Sequence, residues 1–337
     1  MIQSKSNITK TIGQLFMAPI PGTDLDEGTI DLIKNHGVSK FIIFQRNVAD
    51  GPERLRRLCF DLKHLCRKNG LYPILAIDQE GGPVRRLRPP LFDDMLSPDD
   101  VRKSKEPEKK VIELAESAFR LIRPFSIDMN LAPVLDLCLH GEKNVLKARC
   151  LGKDPLRVAR LGGLYIKRLK ELGILSTCKH FPGIGRVRLD PHHHLPRVDV
   201  EKDLIMKELY PFKQAIKSGC PAVMTSHVVY EKIDPKQPAT FSHKIATSLL
   251  KKSLKFKGVL ITDDLEMKGA MKVATHEMAC FLALKAGHDL LLICKSPKKV
   301  RESISFLQYA IKDAKIPENR IMDAINRVKW LEINKVS

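Results

Sequence analysis

The segment GILSTCKHFPGIGRVRLDPHHHLP, residues 173–196, changes character partway along. Residues 173–178 are mostly apolar and suit a short strand buried on both faces. From Lys179 onward the chain carries a Lys-His pair, a Pro-Gly-x-Gly turn and an Asp-x-His pair. A buried strand that empties into a polar loop is the unit from which parallel α/β sheets are built.

The same unit recurs along the chain. Apolar runs of similar length, most of them rich in Ile, Leu, Val or Phe, lie at 15–18, 41–44, 74–77, 131–135, 174–178, 222–225, 259–262 and 290–293. Stretches with helical apolar spacing separate them, as at 55–65, 111–122, 204–216 and 245–254. Strand and helix in alternation imply a parallel α/β architecture. Eight strands imply a closed (β/α)8 TIM-type barrel, expected here as a single domain over residues 1–337. Arg85 to Pro107, with Pro89-Pro90 and many charges, reads as a long loop leading into a helix. Ile321, Ile325, Val328 and Leu331 form one stripe that would pack a C-terminal helix on the barrel wall.

Ionisable and polar residues follow the runs: Gln45-Arg46-Asn47, Asp78-Gln79-Glu80, Asp136, Lys179-His180, Ser226-His227 and Asp263-Asp264. They collect where such barrels build their sites, at the C-terminal ends of the strands.

Composition narrows the classes of function. The eight cysteines include no CxxC pair and several lie inside apolar runs, which suits a reduced, cytoplasmic protein. The N-terminus MIQSKSNITKTIGQLF has no apolar core of signal-peptide length, and no run approaches a bilayer span, so no membrane association is expected. The net charge of +19 is spread over the whole chain and only 6% of residues are aromatic. That pattern suits solvated helix faces, or attraction of an anionic substrate, rather than nucleic acid.

Two features could carry chemistry. Asp190 and His192 lie two apart, so the carboxylate can fix the imidazole tautomer and leave the other nitrogen to exchange a proton; equally, Asp190 could cap a turn beside solvated histidines. Asp263 could be a catalytic carboxylate or the N-cap of a helix through 265–267. The three adjacent histidines 192–194 lack zinc-site spacing, and neither metal nor cofactor is expected.

Four motifs, IDQEGGPVRRL (77–87), ARCLGKDP (148–155), KHFPGIGRVRLDPH (179–192) and ITDDLEMKGA (261–270), resemble those of the family 3 glycoside hydrolases. More narrowly they resemble its single-domain cytoplasmic β-N-acetylhexosaminidases that act on peptidoglycan fragments. The resemblance implies a retaining exo-β-N-acetylglucosaminidase, a monomer acting on a small N-acetylglucosamine-containing muropeptide. It implies Asp263 as nucleophile and Asp190 with His192 as acid/base dyad. It further implies that Asp78, Arg86, Arg149, Lys179 and His180 bind the sugar, while Glu80 holds its loop and Asp264 is structural. From the residues alone, Asp78 and Arg149 could be structural ion pairs, Lys179 and Arg86 surface residues, and His180 a satisfied core histidine. Gly183 and Gly185 suit a moving loop. Pro83, Ile184 and Pro191 depart from the family pattern, which has Arg, His and Ser there. Neighbouring expectations are a family 3 β-glucosidase or β-xylosidase, a weakened sugar-binding barrel, or phosphate in place of water as acceptor.

Overall fold

The computed structural model describes residues 5–139, 146–187 and 195–334. Among these, eight parallel strands form one sheet: β1 (Phe16–Pro19), β2 (Lys40–Ile43), β3 (Ile74–Ile77), β4 (Met129–Asn130), β5 (Leu175–Phe181), β6 (Ala222–Thr225), β7 (Val259–Ile261) and β8 (Leu291–Leu292). Each neighbours the next in sequence. Phe16 pairs with Leu291 to join β1 to β8, and a bridge between Ile261 and Leu290 links β7 to β8, so the sheet closes into the expected (β/α)8 TIM-type barrel. All of these strand residues are buried, because side chains fill the barrel on one face and helices cover the other.

The crossover helices show why the sequence alternates as it does. Gly51–Lys68 buries Leu55, Leu58 and Leu62 on one stripe. Pro155–Glu171 starts with Asp154 accepting from Arg157 N and Pro155 in the first turn, a preorganised helix start. On that helix a Cβ at Gly162 would lie 2.5 Å from Leu135, so glycine lets the helix settle on the wall. Helix Glu318–Ile333 buries Ile321, Ile325, Val328 and Leu331 as expected, and Arg327 bonds the carbonyl of Gly258 just before β7.

Two expectations shift. The fourth strand pairs at Met129–Asn130, not at 131–135. Pro133 has no N–H to give the ladder, although Leu131 N, Leu135 N and the carbonyls of Ala132 and Pro133 still bond to β3 and β5 residues. The stretch 204–216 divides into two helices, Lys202–Glu208 and Tyr210–Lys217, with Pro211 in the first turn of the second. Among the described residues, no helix is long and apolar enough to cross a membrane.

Candidate active site

The C-terminal ends of the strands surround a cleft of about 370 Å³, lined among others by Asp78, Arg86, Arg149, Lys179, His180 and Asp263. The six described residues singled out from the sequence therefore share one cavity. Asp190 and His192, with Pro191, His193 and His194, lie outside the described residues.

The cleft floor is a chain of alternating charges. Lys179 Nζ lies 2.8 Å from Asp78 and 2.6 Å from Glu80. Arg86 donates to the other oxygen of Asp78 at 2.8 Å, and Arg149 donates to both oxygens of Glu80, each at 2.8 Å. Burial alone would raise both carboxyls, but Lys179 and Arg86 around Asp78, and Lys179 and Arg149 around Glu80, outweigh it and hold both below the usual range. Burial pulls Lys179 down in turn, and the two carboxylates more than restore it. Lys179 is thus a buried ion and not a surface residue. Arg149 pairs with Glu80, which holds the loop as anticipated.

Local structure explains how these groups meet. After β3 the chain turns into a hairpin, Gln79–Gly81 against Val84–Arg85, which brings Arg86 back beside Asp78. The Gln79 side chain accepts from the amides of Arg86 and Leu87, and Asn130 engages both the N–H and the C=O of Gln79. Pro83 sits at the hairpin tip between the paired strands. On β5 the register shifts between Cys178 and Phe181, and both Lys179 and His180 line the cleft. The Lys179–His180 peptide is cis.

His180 is fixed from behind. Its Nδ1 lies 2.6 Å from Asp136 Oδ2, which also accepts the His180 amide at 3.1 Å; Asp136 Oδ1 accepts the Ile184 amide at 2.8 Å. An Nδ1–H donated to Asp136 leaves Nε2 as the acceptor, with Arg149 Nη2 3.4 Å away. Asp136 is fully buried, and its role was signalled in the sequence only by a charge directly after an apolar run. The loop leaving β5 is anchored here too: Tyr230 donates to the Gly183 carbonyl at 2.7 Å. A Cβ at Gly185 would meet Leu137 O at 2.1 Å, and Gly183 has φ of +123°. Close packing and backbone geometry, rather than movement alone, account for these glycines.

Asp263 follows β7 and is partly exposed. Its Oδ1 accepts the Asp264 amide at 2.8 Å, and no cation is paired with it among the described residues. The helix N-cap alternative fails, because the next helix starts only at Lys268. Asp264 also lines the cleft; burial first, then the charges of Glu266 and Asp263, push its carboxyl up. His227 holds this corner by donating to the Asp264 carbonyl at 2.9 Å while its other nitrogen lies 2.8 Å from the Thr240 hydroxyl. Of the described carboxylates at the cleft, Asp78 and Glu80 are each clasped by two cations and Asp264 is pushed toward its protonated form, whereas Asp263 has no cation partner among the described residues.

Away from the cleft, His276, Glu277 and Glu302 place ligand-type atoms within 4.8 Å of one another. The imidazole already contacts both carboxylates there, at 3.3 and 3.1 Å, which makes the trio a self-satisfied ion cluster.

Residues 7–331 match the model of the glycosyl hydrolase family 3 N-terminal domain. A β-hexosaminidase of Psychromonas ingrahamii is 38% identical over 288 residues, covering 82% of this chain and 81% of that protein. One of Methylobacillus flagellatus is 34% identical over 312 residues, covering 89% and 86%. Among solved structures, a family 3 β-N-acetylglucosaminidase from Paenibacillus sp. superposes with a TM-score of 0.90 at 31% identity over 97% of this chain, which spans 62% of that protein's length. A β-N-acetylhexosaminidase from Beutenbergia cavernae gives 0.87 at 27% identity, covering 96% of this chain and 98% of that one. With the barrel and its strand-end cleft, these matches place the chain among the glycoside hydrolases of family 3, through the N-terminal domain of that family.

Proposed function

We propose that this protein is a retaining exo-β-N-acetylglucosaminidase, a monomeric single-barrel enzyme that releases terminal N-acetylglucosamine from peptidoglycan-derived fragments in the cytoplasm. The observation that carries this reading is the contrast between one unpaired carboxylate, Asp263, and a floor of locked charges directly beside it.

A retaining glycosidase needs a carboxylate that can approach the anomeric carbon, stabilise an oxocarbenium-like transition state and form a glycosyl-enzyme. Asp263 is partly exposed and, among the described residues, carries no counter-ion that would have to be displaced. The Asp78–Lys179–Glu80–Arg149 chain would hold the sugar's hydroxyls through charge-assisted hydrogen bonds, with Arg86 and His180 Nε2 completing the ring of donors and acceptors. Such groups are already oriented before substrate arrives, so little rearrangement opposes binding. Asp190 and His192 would act together on the leaving oxygen: the imidazolium protonates it, and the imidazole then takes a proton from the water that frees the sugar. The β-hexosaminidase names of the relatives support N-acetylglucosaminides as the substrate class.

The test compares Asp263→Ala and His192→Ala on aryl N-acetyl-β-glucosaminides of graded leaving-group acidity. Asp263→Ala should abolish turnover, and His192→Ala should slow it most for the poorest leaving groups. Unchanged rates in both variants would reject the assignment, and preference for aryl glucosides would move the enzyme to another specificity in the family.

A further inference from the structure

A hollow of about 760 Å³ lies apart from the cleft. It lies on the barrel wall where the start of helix Pro155–Glu171, the pair Lys202–Glu208 and Tyr210–Lys217, and the residues just after helix Lys244–Ser253 converge. Its rim carries Lys207, Lys213, Lys217 and Lys255, all exposed. Its walls are apolar: Leu156 and Met206 stay exposed at 63% and 37%, and the partly buried Ile216 and Leu254 pack against the core.

Two smaller hollows continue it. One of about 550 Å³ shares Leu156 and Tyr210 and adds Arg160 and Lys167. The other, about 610 Å³, shares Ile216 and Lys255 and runs to the N-terminal rim of the barrel, where Lys170, Lys257 and the exposed Trp330 line it. Among the described residues, no Asp or Glu lines any of the three. Elsewhere on the surface basic side chains are commonly paired, as Arg168 is with Glu116 and Glu171 and Arg186 with Glu208. Within the groove Arg160 has a partner, Glu108, whereas the lysines have none among the described residues.

We infer that this groove docks an acidic amphipathic helix of a partner protein. An apolar trough rimmed by unpaired lysines is the complement of a helix with Leu-like residues at i, i+3, i+4 and i+7 and carboxylates on both flanks. Lysine stems extend apolar contact while their ammonium groups reach outward, so the rim serves both faces of such a ligand. Isolated lysines with three aromatic residues over the whole length, Tyr210, Trp330 and the buried Phe256, fit this better than single-stranded nucleic acid, which calls for exposed stacking platforms along its track. The path beside helix Pro155–Glu171, from Leu156 to Lys170, is about 20 Å at 1.5 Å per residue, long enough for a helix of about 14 residues. The proposal is independent of the catalytic cleft, with which the groove shares no lining residue.

The probe is a fluorescein-labelled Leu/Glu peptide of about 15 residues with its leucines on one helical face. Fluorescence anisotropy with the full chain compares it with a scrambled peptide of the same composition, oligoglutamate, single-stranded DNA and anionic vesicles. Binding of the patterned peptide at least about tenfold tighter than each control, weakened by salt, is expected. Lys213→Glu/Lys217→Glu/Lys255→Glu and, separately, Leu156→Ser/Met206→Ser should each weaken it about tenfold or more with hydrolysis unchanged. No binding at low salt, equal binding by wild type and both variants, or equal binding of the scrambled peptide, oligoglutamate, DNA or vesicles would overturn the proposal.

Discussion

Replacing Lys179 by Met tests whether the cleft floor is the preorganised charge chain described above. Lys179 is 2% exposed, and its ammonium sits 2.8 Å from Asp78 and 2.6 Å from Glu80. Breaking a buried ion pair by removing one partner costs about 3–5 kcal/mol. Here Arg86 still faces Asp78 and Arg149 still grips Glu80 in two-pronged fashion, so the lower end, about 3 kcal/mol, applies. An unfolding entropy of about 2.1 cal/mol/K per residue over 337 residues converts that into a Tm lower by about 4 °C. The pH dependence has a definite sign. Asp78 and Glu80 are held below their ordinary range, so their stabilising contribution is present above about pH 4 and fades as the pH falls through their folded values. The gap between wild type and variant should therefore be full at neutral pH and shrink in acid. Thermal melts followed by circular dichroism across this range, with KM for an aryl N-acetyl-β-glucosaminide, provide the readouts. A variant that melts with wild type at neutral pH and keeps its KM would refute the reasoning, as would a gap that widens in acid.

Asp136→Asn removes the charge behind His180 and leaves an amide N–H facing a backbone amide, so the imidazole loses its fixed orientation and kcat/KM should fall about tenfold or more. An unaltered kcat/KM would show that Asp136 only packs. The buried thiols of Cys59, Cys66 and Cys280 are each pushed up to about 12 by burial, so the unfolded chain ionises first and stability falls as pH rises above about 9. From about pH 8 to about pH 10 those three lose about 4 kcal/mol together, while Lys251, lowered to about 8 by burial, returns about 2 kcal/mol over the same interval. Urea titrations should show a net loss; stability that rises across this interval would contradict it.

Much of the architecture was legible because a closed parallel barrel buries its strands on both faces, so they appear as bare apolar runs such as 74–77 and 222–225. The fourth strand was misplaced because Asn130 is polar for a reason outside the strand, bonding Gln79, while the apolar run after it contains Pro133. The site was legible as a set of strand-end charges and not as a network. Lys179 and Asp78 are 101 residues apart, and spacing cannot say that one ammonium bridges Asp78 and Glu80. Asp136 was visible only as a polar strand end, since its meaning depends on His180 arriving from the next strand. The basic groove was invisible for a related reason: its lysines come from separate helices and loops, and only the fold shows that no carboxylate lines it among the described residues.

The most direct test of the account is to trap the intermediate. A fluorinated N-acetyl-glucosaminide that forms the glycosyl-enzyme faster than water releases it should add one sugar to the intact protein by mass spectrometry, and fragmentation should put that sugar on Asp263. A sugar carried by any other residue, or steady hydrolysis with no adduct, would contradict Asp263 as the group that takes the anomeric carbon.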